Sequence, residues 1–175
     1  FRWLFAEGAF NAAFVPLFAG QAATEGEAAA KKFAEQSLSV LLLILLGLTV
    51  AAEIFMPQIM YVMAPGFSEN PQKFSDAVLF GRIMFPYLLF ISLMALYAGV
   101  LNSLLKFAAA AWVPVLLNLI SVITLAFIIP YTGFPGETLS WSIAFAGVAQ
   151  FVAIAYALHH SGMRLYLPRP RLTPD

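Results

Sequence analysis

The 175-residue sequence has few charged residues and no cysteine. Asp, Glu, Lys and Arg make up 10% of the chain, against about a quarter in a typical soluble domain. The formal net charge is zero, so the composition does not indicate a nucleic-acid partner. The lack of cysteine excludes a disulfide framework and a thiolate metal site. The sequence also lacks a nucleophile elbow, a glycine-rich phosphate loop and a His-Glu-x-x-His motif. We therefore predict no enzyme, no cofactor and no metal.

Apolar residues are abundant instead, at 62% of the chain, and 17 residues are Phe. A soluble domain of this length could not bury so much apolar surface, so the composition predicts a membrane protein. The chain begins with Phe1, inside an apolar run and without a basic leader. We therefore expect it to be a piece of a longer protein.

Five apolar segments are long enough to span a bilayer, which takes about 20 residues of helix. They predict an all-α, polytopic membrane helix bundle that forms a single transmembrane domain over residues 1–175. The five predicted spans cover about 1–22, 36–63, 77–104, 110–130 and 138–159. The segments between them are charged or rich in Pro and Gly, which is typical of connections.

The distribution of Lys and Arg predicts the orientation of the bundle. Two connections and the C-terminal tail fall on one side of the predicted membrane, whereas the opposite connections contain Lys73 alone. The basic residues of the first side are Lys31, Lys32, Lys106, Arg164, Arg169 and Arg171. Because Lys and Arg favour the cytoplasmic side, we expect these segments, including the basic tail 160–175, to be cytoplasmic.

Four prolines fall within or near the predicted spans: Pro16, Pro57, Pro86 and Pro114. Each removes a backbone hydrogen bond and bends its helix. The bends can be ordinary kinks in a packed bundle, which neighbouring helices compensate. They can also shape a cavity and let helices flex between two states, as discontinuous helices do in transporters.

Ionisable residues inside a membrane are costly and point to protein or water. Glu53 and Arg82 lie close enough to the predicted outer boundary to extend toward water, so we interpret them as interfacial. His159 and His160 lie at the end of the last span without a Cys or carboxylate at metal-ligand spacing, and we interpret them in the same way.

The first span carries a polar stripe. At 3.6 residues per turn, Trp3, Glu7, Asn11 and Phe14 or Phe18 share one face of a helix. A face with a carboxylate and an amide must point at protein or at a wet cavity. Glu7 can be a structural, hydrogen-bonded residue, but we favour a charge that faces a cavity.

The same segment, FRWLFAEGAFNAAFVPLFAG at 1–20, resembles the second transmembrane helix of the MurJ/MviN family of lipid II flippases. Further similarity to this family lies in APGF at 64–67, RIMFPYLLFISL at 82–93 and PVLLNL at 114–119. The resemblance extends over essentially the whole chain.

The resemblance implies a MATE-like fold of two helical lobes, of which this chain supplies the second to sixth helices. Residues 160–175 would then connect the lobes. The implied function is to move undecaprenyl-pyrophosphate-linked peptidoglycan precursor from the inner to the outer leaflet of the bacterial cytoplasmic (inner) membrane. The implied partners are this precursor, membrane lipids and the remaining helices of the transporter.

The resemblance also implies roles for two residues. Arg2 matches an arginine that lines the outward end of a cationic cavity, where its planar donors suit a pyrophosphate. Glu7 matches an acid linked to gating, and Asn11 lies one turn after it. Trp3 stands where the family usually has a second arginine, which removes one cavity charge and a cationic partner one turn before Glu7.

Three alternatives stay open on the sequence. A small-molecule antiporter of the MATE type would need an intramembrane acid for ion coupling, but no cationic cavity. A polysaccharide flippase belongs to the same larger group. The chain can also be a non-transporting fragment.

Overall fold

The computed structural model of the chain describes residues 9–166, and side chains from residue 13 onward. All regular structure in this part of the chain is helical. The six α-helices are α1 (Ala9–Thr24), α2 (Glu27–Met63), α3 (Pro71–Met84), α4 (Pro86–Ser103), α5 (Phe107–Ile123) and α6 (Pro135–His160). This architecture confirms the predicted all-α fold class.

Four helical segments in the described residues are long and apolar enough to cross a membrane. They are Glu27–Met63, Pro71–Ser103, Phe107–Tyr131 and Pro135–His160. A shorter apolar helix, Ala13–Thr24, falls within the first predicted span. The helices therefore confirm a multi-pass membrane protein with four to five spans.

Helix α2 begins nearer the N-terminus than predicted. The sequence predicts a connection over the charged segment 24–32, but only two residues separate α1 from α2, whose first residue is Glu27. This segment is rich in Ala, Lys and Glu, which are strong helix formers. Lys31 and Glu35 add an i,i+4 ion pair with an N···O distance of 3.7 Å. At 37 residues and about 55 Å, α2 is longer than the hydrocarbon core is thick.

The third predicted span begins earlier and is interrupted. Asn70 caps α3, because its side chain accepts hydrogen bonds from the N–H groups of Gln72 and Lys73, and Pro71 occupies the first helical position. The helix ends at Met84 and a new one begins at Pro86. Pro86 cannot donate the next backbone hydrogen bond, which explains the interruption.

The last two spans agree with the prediction to within a few residues. After α5, one turn of π-helix (Thr124–Ile128) and a short 3-10 turn (Ile129–Tyr131) complete the fourth span. Helix α6 then begins at Pro135, again with Pro in the first turn. Local departures from α-helix are common where a helix is interrupted or strained.

Helix α4 lies at the centre of the bundle and packs against the other five helices. Around it, α1 contacts α2, α2 contacts α3, α3 contacts α6, and α6 contacts α5. Among the described residues, α1 and α5 do not contact each other. The outer helices therefore form an open ring around α4, with its gap between α1 and α5.

Glycines allow two helices to approach α6 closely. A Cβ added to Gly147 would lie 2.7 Å from Cδ2 of Tyr87 in α4. A Cβ added to Gly136 would lie 2.6 Å from Cζ of Phe80 in α3. Lipid supplies no hydrophobic drive for helix association, so small residues at interfaces are a main means of packing.

Three basic segments that the sequence placed on one side of the membrane lie together in the structure. We call this part of the bundle the basic end; it comprises the start of α2, the α4–α5 connection and residues 161–166. Lys106 Nζ donates to the carbonyl of Ser161 at 3.1 Å, which joins the second and third of these segments.

Candidate functional site

The predicted cavity residues fall largely outside the described part of the chain. Arg2 and Glu7 precede the first described residue. Asn11 belongs to α1, but its side chain also lies outside what the structure describes. Their contribution to a substrate cavity therefore stays a prediction.

The continuation of the stripe is described, and it faces the bundle. Phe14 and Phe18 are 4% and 2% exposed. Their ring centroids are 5.8 Å apart, and the ring of Phe14 lies 5.5 Å from that of Phe33 in α2. The face of α1 that continues the predicted polar stripe is thus packed against protein.

The four prolines occupy two kinds of position. Pro16, Pro57 and Pro114 lie inside α1, α2 and α5, whereas Pro86 is the first residue of α4. Each of the first three removes an N–H group from a helix interior. At two of them, a polar side chain of a neighbouring helix donates to a nearby backbone carbonyl.

The first such contact joins α3 to α2. Arg82 Nε donates to the carbonyl oxygen of Glu53 at 3.2 Å. Glu53 lies four residues before Pro57, so its carbonyl is the one that lacks the usual helical donor. The sequence interpretation treated Glu53 and Arg82 as separate interfacial residues. The spacing Glu53 to Pro57 was the available signal that a donor would be needed there.

The second contact joins α6 to α5. Gln150 is 2% exposed, and its Nε2 donates to the carbonyl of Val113 at 3.0 Å, directly before Pro114. Its Oε1 is buried and has no hydrogen-bond partner among the described residues. Sequence reasoning missed Gln150, although an uncharged amide in the middle of an apolar span is typical of a contact between helices.

The two histidines lie at the end of α6 and are exposed. The ring of His160 packs at 4.5 Å from that of Tyr156. Within the described residues, no group of three His, Asp or Glu residues could hold a metal ion.

The basic end contains a contact network between α2 and the segment after α6. The carboxylate of Glu35 accepts from the backbone N–H of Tyr166 at 2.9 Å and pairs with Lys31. The ammonium of Lys31 lies 4.9 Å from the centre of the Tyr166 ring, a cation–π contact. These contacts hold residues 162–166 against the start of α2.

A cavity of about 320 Å³ opens beside this segment. Its lining combines two cations with one carboxylate, and it consists of Glu27, Ala28, Lys31, Leu104, Ser161, Gly162, Met163 and Arg164. With Lys31 already paired to Glu35, the lining is close to neutral and does not form a strong anion site. The described residues thus form a scaffold of proline-interrupted helices.

A family model described as "Lipid II flippase MurJ" matches residues 1–174. The chain belongs to the MurJ family. The match includes the N-terminal motif with Arg2 and Glu7, so the resemblance that the sequence motifs indicated is confirmed. The membership in this family and the apolar helices together show that the chain is part of a multi-pass membrane protein.

Several curated relatives in the MurJ family match nearly the whole chain. The probable lipid II flippase MurJ of Rhizobium meliloti (strain 1021) is 47% identical over 100% of this chain and 34% of its own length. The probable lipid II flippase MurJ of Rhizobium tropici is 44% identical over the same shares. The lipid II flippase MurJ of Burkholderia cenocepacia is 38% identical over 86% of this chain and 29% of its own length. The chain thus spans about a third of the length of these MurJ relatives.

Proposed function

We propose that the full-length protein is a lipid II flippase of the bacterial cytoplasmic (inner) membrane. It moves the undecaprenyl-pyrophosphate-linked peptidoglycan precursor from the inner to the outer leaflet by alternating access. The observation that carries this proposal is the MurJ family match over residues 1–174, together with relatives named lipid II flippase at up to 47% identity. The reaction is transport and makes or breaks no covalent bond.

The proposal assigns Arg2, Glu7 and Asn11 to the substrate cavity. That Asn11 faces the bundle interior is supported by the described part of α1, where Phe18, seven residues later on the same face, is buried. An arginine beside a cavity of low dielectric suits a pyrophosphate, since it remains charged and offers two parallel donors. Glu7 would pair with a cationic group on another helix, because Trp3 occupies the position one turn earlier.

The proposal also assigns roles in the transport cycle to the prolines and to the basic end. Bends at Pro16, Pro57, Pro86 and Pro114 allow the helices to change shape between inward-open and outward-open states. The basic end faces the cytoplasm by its Lys and Arg content, and residues 160–175 lead from it toward the second lobe. The partners are the precursor, membrane lipids and the other transporter helices, and we expect no nucleic acid.

Replacement of a native flippase tests this function. In a bacterium depleted of its own lipid II flippase, a plasmid with the full-length protein should restore growth and cell shape. The Rhizobium meliloti relative serves as the positive control, and an empty plasmid as the negative one. Confirmed membrane expression without any rescue, together with export of a small-molecule drug, would instead favour the antiporter alternative.

A further inference from the structure

Arg82 contacts a particular backbone position in the neighbouring helix. In an unbroken helix, the carbonyl of Glu53 would accept from the N–H of residue 57, but Pro57 has no N–H. Arg82 Nε lies 3.2 Å from that carbonyl oxygen. We propose that Arg82 is a positioning residue that supplies the hydrogen bond removed by Pro57.

The packing around Arg82 brings α3 close to this turn of α2. The neighbouring residue Gly81 is buried, and a Cβ added to it would lie 2.8 Å from Met60 Cε and 2.9 Å from Met56 Sδ. A larger residue at 81 would therefore require the two methionine side chains to move. Gly81 permits the close approach, and Arg82 uses it to reach the Glu53 carbonyl.

The contact is specific to the backbone. Among the described residues, no carboxylate lies within the 4.0 Å of an ion pair from Arg82, so the Glu53 side chain is not its partner. A hydrogen bond from a charged donor is stronger than one from a neutral donor, and a helix carbonyl without any donor is costly. The exposed guanidinium keeps its other N–H groups for water or lipid headgroups.

This contact has a mechanical consequence. A proline inside a helix weakens it locally, since one hydrogen bond and one rigid turn are lost. The hydrogen bond from Arg82 in α3 gives the Glu53 carbonyl in α2 a donor again, so it holds the Pro57 turn in one geometry. Helices α2 and α3 then move as one unit. The use of that unit in transport rests on the proposed function, whereas the bond itself does not.

A double-mutant cycle tests the assignment in the purified full-length protein without substrate. Arg82→Met removes the donor and keeps much of the side-chain length. We expect it to lower Tm by about 1–2 °C, because a single hydrogen bond shifts the Tm of a protein about three times as long as this chain only slightly. In the Pro57→Ala background, the N–H of the new alanine takes the Glu53 carbonyl. The same Arg82→Met change should then lower Tm by less than about 0.5 °C.

Pro114→Ala is the matched control, since it removes a proline from the interior of another helix that Arg82 does not contact. Arg82→Met should lower Tm there as much as in the wild type. Equal losses in all three backgrounds, or no loss in the wild type, would overturn the proposal and leave Arg82 an anchor at the membrane interface. If Arg82→Met alone does not accumulate, recovery of expression in the Pro57→Ala background supports the proposal, and equal failure in both overturns it.

The variant Arg82→Lys tests the hydrogen bond without the Pro57→Ala background. Lysine keeps a charged donor, so the decrease in Tm for Arg82→Lys should be at most half of the decrease for Arg82→Met. A loss equal to that of Arg82→Met would count against a hydrogen bond to the carbonyl. Because these measurements use no substrate, they remain informative even if the flippase function is wrong. Growth rescue by the same variants then measures the separate effect on transport.

Discussion

At the residue scale, Gly147 shows how a single missing side chain sets the distance between two helices. Its added Cβ would lie 2.7 Å from the Tyr87 ring and 3.5 Å from Phe90 Cβ, so either the ring or the helix must shift. We expect Gly147→Ala to destabilise the protein by about 1–3 kcal/mol through overpacking. Thermal unfolding of the detergent-purified full-length protein measures the effect.

Gly47 is the matched control for Gly147, because it also lies inside a helix but would place its Cβ in open space. Gly47→Ala should leave Tm unchanged or slightly higher, since alanine is the better helix former. If the two alanine variants shifted Tm equally, close packing at Gly147 would not be the cause.

Arg2 supports a second prediction at this scale. Arg2→Ala should lower the flipping rate at least about tenfold, since a charge-assisted hydrogen bond to a pyrophosphate is worth about 1.5–3 kcal/mol. Lys73→Ala removes the same charge from the predicted outer side, but Lys73 is exposed in the first turn of α3 and contributes only its backbone N–H to the Asn70 cap. Screening in water makes its loss nearly neutral.

Growth rescue of flippase-depleted cells compares the two variants, with their membrane expression confirmed by blot. Equal rescue by both would remove Arg2 from the substrate site. Arg2 would then be an arginine that extends to the interface from the end of a helix.

At the scale of elements, the segment after α6 contacts α2 through the carboxylate of Glu35 and the ammonium of Lys31. Glu35→Ala removes the acceptor of the Tyr166 N–H, which lies 2.9 Å from Glu35 Oε1. We expect amide hydrogen exchange at Tyr166 to become about tenfold faster, as the loss of a bond to a charged group permits local opening. Exchange measured by mass spectrometry over peptides that cover 162–166 reports this change.

Glu27→Ala is the control for this contact. Glu27 lies on the same helix and lines the neighbouring cavity, yet within the described chain no hydrogen bond joins it to Tyr166. Its loss should leave the exchange of residues 162–166 unchanged. If exchange became faster in both variants, the cause would be the lost negative charge at the start of α2 and not the lost hydrogen bond between Glu35 and Tyr166.

The same elements show which features of the fold are readable from sequence. Span number and class follow from long apolar runs, because lipid requires helices. The start of α2 is harder to predict, because a charged segment can be a loop or a helix, and here Lys31 and Glu35 pair within a helix that extends beyond the apolar run. The contacts of Arg82 and Gln150 depend on which helices are neighbours in space, and no local pattern reports that arrangement.

At the scale of the whole molecule, the helices around α4 form a ring that is open between α1 and α5 in the described structure. Large apolar side chains on α5 are exposed, including Trp112 at 70%. The chain also spans about a third of the length of its MurJ relatives. Alternating access requires one repeat or lobe to rock against another around a central site.

We therefore predict that these 175 residues alone do not transport. A lobe without its counterpart has no second surface to close the cavity on one side while the other side opens. The chain reconstituted in liposomes should flip a fluorescent lipid-pyrophosphate no faster than protein-free liposomes, whereas the full-length protein at equal density should flip it measurably faster. Circular dichroism of the same liposomes confirms that the chain is helical, so inactivity is not misfolding. Flipping by the chain above the protein-free rate would show that one set of helices suffices, and it would contradict the two-lobe mechanism proposed for the full-length protein.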